Sequence, residues 1–173
     1  MTDLINDMGL DASQNQTVKT VLLATDHAGF ELKEKIKAYL RDKGVPLEDL
    51  GAFVLEAEDD YPDYMHMAGK RVGAESERYS AIIVGGSGQG EAIVANRYKG
   101  VRAVVYNGGN LELVKVTREH NDANILSLGA RFISEAEALQ AVDLFLTTVF
   151  SGDERHVRRI DKIDNTRKDS YTF

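Results

Sequence analysis

Short apolar runs that alternate with helical segments are the feature that most constrains how this chain folds. Four runs indicate β-strands because they are rich in Val, Ile and Leu and are bounded by turn-forming residues. They span residues 21–24, 81–84, 101–106 and 125–128. Residues 46–50 form a weaker candidate for an edge strand. Together these runs predict a sheet of five short strands.

Between the runs, apolar residues recur at the spacing of a helix face. The predicted helices cover residues 32–43, 59–72, 91–97, 111–119, 134–150 and 154–171. Pro62 near the start of the second helix and Ser134 as the cap of the fifth mark two of the boundaries. Strands separated by helices favour right-handed crossovers, so the pattern predicts a three-layer α/β/α, Rossmann-like (flavodoxin-like) domain with a mostly parallel five-stranded sheet.

The chain divides into three parts along its length. Residues 1–17 have weak periodicity and indicate a flexible N-terminal tail. Residues 18–153 carry the α/β domain, and residues 154–173 form a charged C-terminal helix.

Composition excludes several classes of function. Lys and Arg number 21 against 28 Asp and Glu, which gives a net charge of −7 and makes nucleic acid an unexpected partner. The 173 residues contain no cysteine, which excludes disulfides, thiolate metal sites and a thiol nucleophile. No apolar run is long enough to cross a membrane, and the N-terminus has no apolar core of a signal peptide. A soluble, cytoplasmic protein is expected.

Ligands of parallel sheets bind at the carboxyl ends of the strands. A glycine-rich loop, residues 85–90, follows the strand at 81–84. It is not a dinucleotide fingerprint, because Glu91 stands where the third glycine is needed, and it is not a P-loop, because no Lys-Ser/Thr pair ends it. What remains is a turn of Gly86, Ser87, Gly88, Gln89 and Gly90 that leads into a helix. Its N–H groups can stabilise an anion or an oxyanion, and a tight turn without a ligand is the alternative.

Glu91 lies in the first turn of the helix that follows this loop. It is either a residue that interacts favourably with the helix dipole or a general base beside an oxyanion hole. The residues alone leave both readings open.

Histidines and arginines supply the other candidate groups. His27 and His120 could donate protons near neutral pH if they meet on one edge of the sheet, although each alone is typical of a structural residue. No histidine pair has metal-ligand spacing, so no metal site is predicted. Arg155 and Arg159 share a helix face that could grip a phosphate, with surface salt bridges as the alternative. Arg131 follows another strand.

Several motifs occur in the order found in one known family. They are ATDHAGFELK at 24–33, DYP at 60–62, GSGQGE at 86–91, ANR at 95–97, REHNDAN at 118–124 and GAR at 129–131. Over residues 19–163 the chain resembles the type B ribose-5-phosphate isomerases, whose superfamily also contains the galactose-6-phosphate isomerase subunits.

The resemblance implies an aldose–ketose isomerase of carbohydrate metabolism that works through a cis-enediolate without a metal or cofactor. It also implies a homodimer or a dimer of dimers with shared active sites, and the C-terminal helix is expected at the dimer interface. Asp26 and His120 would assist opening of the sugar ring, and Glu91 would move the proton between C1 and C2. The loop backbone and Asn121 would stabilise the enediolate. The phosphate would be held by His27, Arg131, Arg155 and Arg159.

One position departs from the commoner pattern of the family. Many members carry a cysteine base just before the glycine loop, where this chain has Gly85. The chain resembles instead a branch that uses a glutamate directly after the loop, with Gln89 in place of that branch's Asn. A carboxylate is a chemically sufficient base for such an isomerisation.

Ribose 5-phosphate and ribulose 5-phosphate are the expected substrates. The alternatives are a six-carbon sugar phosphate, such as allose or galactose 6-phosphate, and a non-catalytic sugar-phosphate-binding subunit. A flavin mononucleotide carrier is suggested by sheet class and acidity alone.

Overall fold

The computed structural model describes residues 18–165. Its strands are β1 (Thr20–Thr25), β2 (Leu47–Asp49), β3 (Tyr79–Gly85), β4 (Ala103–Tyr106) and β5 (Ile125–Gly129). Its helices are α1 (Phe30–Asp42), α2 (Tyr61–Ala74), α3 (Gln89–Ala95), α4 (Glu112–Asn121), α5 (Glu135–Thr147) and α6 (Glu154–Asp164). A single 3₁₀ turn, His27–Gly29, joins β1 to α1.

The five strands form one sheet in the order β2-β1-β3-β5-β4, and every neighbouring pair is parallel. The predicted α/β/α architecture with a five-stranded parallel sheet is therefore confirmed. The chain winds outward in one direction to β2 and then returns to β3 on the other side of β1. Because strand order reverses between β1 and β3, their carboxyl ends flank the crevice where such folds bind ligands.

Two apolar cores enclose the sheet. One packs α1, α4 and α5 against one face, and the other packs α2 and α3 against the opposite face. The central strand β3 is buried along its whole length, which explains why residues 81–84 read as a continuous apolar run. This covered sheet is a rigid base for the loops at its carboxyl edge.

Most predicted boundaries move by one to three residues. The helix expected at 134–150 ends at Thr147, because the β-branched run Thr147, Thr148 and Val149 disfavours a helix and Thr148 is extended. The helix expected at 91–97 begins at Gln89, after Gly88 takes a left-handed conformation with φ of 78°. The strand expected from residue 101 begins at Ala103.

Both ends of the chain lie outside the described residues, so the predicted tail at 1–17 and the end of the helix predicted at 154–171 are not described. Within residues 18–165, each helix is too short or too polar to span a lipid bilayer. Ser134 caps α5 as predicted, accepting a hydrogen bond from the N–H of Glu137 at 3.2 Å.

Candidate active site

A cavity of about 400 Å³ opens at the carboxyl ends of β1, β3 and β5. Its walls come from the three loops that follow these strands, together with the start of α2. The lining residues are Asp26, His27, Ala28, Tyr61, Gly86, Ser87, Gly90, Glu91, Arg131 and Phe132. Seven of the residues predicted for the site therefore meet in one cavity of a single chain.

Glu91 is the buried acid of this cavity, with only 5% of its surface exposed. Burial raises the pKa of its carboxyl, and the nearby Asp26 carboxylate adds to the rise. A raised pKa brings a carboxylate closer to the strength required of a general base at neutral pH. The sequence left Glu91 undecided between a dipole residue and a base, and its burial in the cavity favours the base.

Gly85 provides the space that Glu91 occupies. A Cβ atom added at Gly85 would overlap the carboxyl group of Glu91 and would lie only 2.8 Å from its Cγ. The glycine at the position of the family's cysteine is therefore a steric requirement of this glutamate's conformation.

The glycine loop packs tightly against the loop after β5. The N–H of Ala130 donates to the carbonyl of Gly85 at 2.8 Å, and the N–H of Arg131 donates to that of Gly86 at 3.1 Å. Ser127 donates its hydroxyl to the carbonyl of Gly88 at 2.7 Å. These contacts fix the backbone between β3 and α3. N–H groups at the start of a helix can stabilise negative charge.

Asp26 and His27 lie on the turn after β1. Asp26 is buried and accepts a hydrogen bond from the N–H of Ala28 at 3.1 Å. Nδ1 of His27 lies 2.7 Å from Oδ1 of Asp59. The same oxygen accepts a hydrogen bond from the backbone N–H of His27 at 2.9 Å. The hydrogen bond to Asp59 raises the pKa of His27.

The same three side chains, Asp26, His27 and Asp59, each place one potential ligand atom within 4.8 Å of the others. These atoms already serve hydrogen bonds: Oδ1 of Asp59 accepts two from His27, and Asp26 caps the turn. The shortest contact in the group, between Nδ1 of His27 and Oδ1 of Asp59, is a hydrogen bond, so we interpret the group as a hydrogen-bonded cluster. The sequence-based expectation of no metal stays a prediction.

Gly88 and Gln89 lie in the glycine loop at the start of α3, and the other four predicted residues, His120, Asn121, Arg155 and Arg159, form a second group away from the cavity. His120 and Asn121 end α4, and the imidazole of His120 stacks on that of His156 with 4.3 Å between ring centroids. Burial lowers the pKa of His156, whose Nε2 has no hydrogen-bond partner within residues 18–165. Arg155 and Arg159 are exposed on the same helix, α6.

The two groups lie at opposite ends of the strands: the cavity group at their carboxyl ends and the His120 group at their amino ends. Glu91 follows the carboxyl end of β3, whereas His120 precedes the amino end of β5, which neighbours β3 in parallel. A strand of this length spans roughly 16 Å. His27 and His120 therefore do not meet on one edge within a single chain.

Ala28, Tyr61 and Phe132 of the cavity lining, and Asp59 beside it, were not predicted as site residues; Tyr61 and Asp59 have polar side chains. Tyr61 lines the cavity and lies so close to Gly90 that a Cβ there would approach its ring to 2.9 Å. Asp59 holds His27. Both belong to the segment at 59–62 that was read as a helix start, and an acidic and an aromatic residue beside that start were the available signal.

The fold and the cavity define a doubly wound α/β protein with a buried carboxylate, a glycine-rich anion-binding turn and a basic rim at its switch point. This combination suits an acid–base enzyme that acts on a small anionic ligand.

Comparison with known proteins agrees with this class. The model of the family described as Ribose/Galactose Isomerase matches residues 21–163. Ribose-5-phosphate isomerase B of Mycolicibacterium paratuberculosis is 44% identical over 141 residues, which cover 82% of this chain and 87% of the relative.

Solved structures match as well. Ribose-5-phosphate isomerase B of Mycoplasma genitalium, with bound ribulose 5-phosphate, superposes with a TM-score of 0.79 at 37% identity, covering 83% of this chain and 93% of its own. The Thermotoga maritima ribose 5-phosphate isomerase gives a TM-score of 0.78 at 42% identity, covering 86% and 99%. The chain belongs to the ribose/galactose isomerase family.

Proposed function

We propose that this protein is an aldose–ketose isomerase that interconverts ribose 5-phosphate and ribulose 5-phosphate. The observation that carries the proposal is the buried Glu91 carboxylate at the end of β3, beside the glycine loop in a cavity with His27 and Arg131. Relatives named ribose-5-phosphate isomerase B, one of them with bound ribulose 5-phosphate, support the choice of a pentose.

The chemistry follows from these positions. Glu91 takes the proton from C2 of the open-chain aldose, and the electron pair of the broken C–H bond forms the C1–C2 double bond of an enediolate. The negative charge that develops on O1 is stabilised by the N–H groups of the glycine loop. The proton on O2 then moves to O1, and Glu91 returns its own proton to C1 as the C2–O bond becomes the carbonyl, which gives the ketose. His27 and Arg131 hold the phosphate as the two cationic groups of the cavity.

A second copy of the chain would complete the site. In this arrangement His120 and Asn121 of one protomer, together with Arg155 and Arg159, reach the cavity of the other, and His120 acts with Asp26 in ring opening. The separation of the two groups within one chain supports this proposal. So do exposed apolar side chains on α2 and α3, the two helices that begin at the cavity: Met67 and Ile93.

The test is a panel of aldose phosphates assayed with wild type and Glu91→Gln. Wild type is expected to isomerise ribose 5-phosphate with a higher kcat/KM than allose or galactose 6-phosphate. Glu91→Gln is expected to lose about 10²–10⁴-fold in kcat because a positioned base is gone. No turnover of any aldose phosphate by wild type would overturn the enzyme proposal, and binding without turnover would favour a non-catalytic subunit.

Stability provides the control for folding of this variant. The folded pKa of Glu91 lies above its ordinary 4.5, so the folded protein loses stability as pH rises above that value and the buried group ionises. Glu91→Gln removes this cost and is expected to unfold at a higher temperature than wild type at pH 7. An inactive but stabilised variant separates lost chemistry from lost structure.

A further inference from the structure

Asp59 contacts His27 but has no part in the proposed chemistry. Its Oδ1 accepts both the backbone N–H and the Nδ1–H of His27, at 2.9 and 2.7 Å. The side chain is 6% exposed. A buried carboxylate that contacts both the backbone and the ring of one histidine fixes that ring's position.

The contact also determines which ring nitrogen carries a proton. A carboxylate only accepts hydrogen bonds, so Nδ1 of His27 must be the donor. In a neutral ring, Nε2 would then be a bare acceptor and would repel a phosphate oxygen. In the imidazolium, Nε2 also carries a proton and can donate to that oxygen.

The surroundings of Asp59 favour the imidazolium. Its other oxygen, Oδ2, is buried and has no hydrogen-bond partner within residues 18–165. A buried, incompletely hydrogen-bonded carboxylate is costly unless a cation lies beside it. The protonated ring of His27 is that cation.

The other charged groups around His27 come from four parts of the fold. Asp26 of the same turn lies 3.9 Å from Nδ1 and favours the charged ring, whereas Arg131 of the loop after β5 opposes it. Glu31 and Lys35 of α1 and Glu135 of α5 line an adjoining cavity that His27 also borders. The carboxylate in direct contact with the ring is Asp59.

The loop that carries Asp59 is anchored at both ends. At its start, the carbonyl of Ala52 accepts a hydrogen bond from the ammonium of Lys33 at 2.7 Å. The N–H of Ala52 donates to the carbonyl of Thr25 at 2.9 Å. At its end, α2 begins at Tyr61. Asp59 therefore lies two residues before the anchored end of this loop.

We propose that Asp59 is a positioning residue that holds His27 in the orientation and protonation state in which Nε2 donates a hydrogen bond to the substrate phosphate. This inference rests on the proposed function, which gives His27 its phosphate.

The first test measures phosphate recognition in Asp59→Asn, which keeps the shape of the side chain and removes its charge. We expect KM for ribose 5-phosphate and Kd for inorganic phosphate to rise about ten- to hundredfold, with kcat changed by less than about threefold, because a charge-assisted hydrogen bond is lost. The matched control is Glu58→Gln, an exposed neighbour on the same loop, which is expected to leave both constants unchanged. Unchanged phosphate affinity in Asp59→Asn, or a loss confined to kcat, would overturn the proposal.

A second test asks whether Asp59 acts through His27. The double variant Asp59→Asn/His27→Gln is expected to bind inorganic phosphate no more weakly than His27→Gln alone. Losses that add would show that Asp59 acts by another route, and the proposal would be wrong.

A third test does not depend on turnover. Nitrogen-15 NMR of the wild-type histidine rings, assigned with His27→Gln, is expected to show His27 protonated at Nδ1 throughout a pH titration and doubly protonated over a wider range than an exposed histidine. A neutral ring protonated only at Nε2 would overturn the proposal, even if Asp59→Asn fails to fold. If wild type lacks isomerase activity, the proposed function fails while this measurement still decides the role of Asp59 toward His27.

Discussion

Gly85 and Glu91 compete for one small volume at the end of β3. The glutamate carboxyl fills the place where any larger residue at 85 would put its Cβ. Interiors are packed closely enough that a single added carbon forces a neighbour to move. The side chain with the most freedom to move here is Glu91.

Gly85→Ala is therefore expected to displace Glu91 and to lower kcat by about 10²-fold or more, close to the loss of the base itself. Steady-state kinetics on ribose 5-phosphate measure this. The double variant Gly85→Ala/Glu91→Gln should be no slower than Glu91→Gln, because the alanine acts through the glutamate. An alanine variant that keeps wild-type kcat would refute the steric argument.

At this scale the sequence predicted many of the residues that line the cavity but not their geometry. A carboxylate after a glycine loop was visible as a candidate base, and the resemblance paired it with the missing cysteine. The contact between Gly85 and Glu91 depends on the angle at which β3 turns into α3, which residue types do not encode. The hydrogen bond between Asp59 and His27 joins residues 32 positions apart in the sequence and could not be predicted from local spacing.

At the scale of elements, a buried lysine joins α1 to β2. The side chain of Lys33 is fully buried, and its ammonium donates to both carboxylate oxygens of Asp49 at 2.9 Å and to Ala52. Asp49 also accepts hydrogen bonds from the ammonium of Lys37 and from the N–H of Gly51. This network fastens the edge strand and the start of the loop that carries Asp59.

Asp49→Asn is expected to lower the free energy of unfolding by about 3 kcal/mol, because it leaves the Lys33 charge buried without its main partner. Urea denaturation measures the change. The control is Glu135→Gln, which breaks the Lys35–Glu135 bridge between side chains that are 53% and 49% exposed, and it should cost less than about 1 kcal/mol. Equal costs for the two variants would contradict the structural role of the buried pair.

Element types were readable from the sequence because burial leaves a periodic pattern. The strands and helices of the α/β domain are confirmed, including the weak edge strand, which the structure shortens to Leu47–Asp49. The end of α5 was missed because its apolar residues continue past Thr147 while β-branched residues end the helix. The burial of Lys33 could not be predicted, since nothing local shows that Asp49 neutralises it.

At the scale of the whole molecule, the separation of the Glu91 group from the His120 group, at opposite ends of the strands, has a consequence for the oligomeric state. An active site built from the Glu91 group of one protomer and the His120 group of another requires two copies in contact. Whether two elements meet across such a contact cannot be inferred from periodicity, which reports only what one chain buries.

Mixing two inactive variants tests the shared site. Glu91→Gln and His120→Asn are each expected to be inactive alone, and a 1:1 mixture allowed to exchange subunits should recover up to about a quarter of wild-type activity, since half of the dimers then carry one intact site. Isomerase assays before and after exchange, with light scattering to give the oligomeric state, measure this. No recovery despite subunit exchange would place both residues in one protomer's site or in none.

The overlap at the end of β3 also constrains how such a protein changes over evolutionary time. A lineage that replaces a thiol base at position 85 with a carboxylate at position 91 cannot hold both in place, because the side chain at 85 fills the space that the glutamate needs. The order of substitution is then restricted: the residue at 85 must shrink to glycine before, or together with, the arrival of a working Glu91. Substitution one residue at a time passes through an intermediate with no base or with a crowded one.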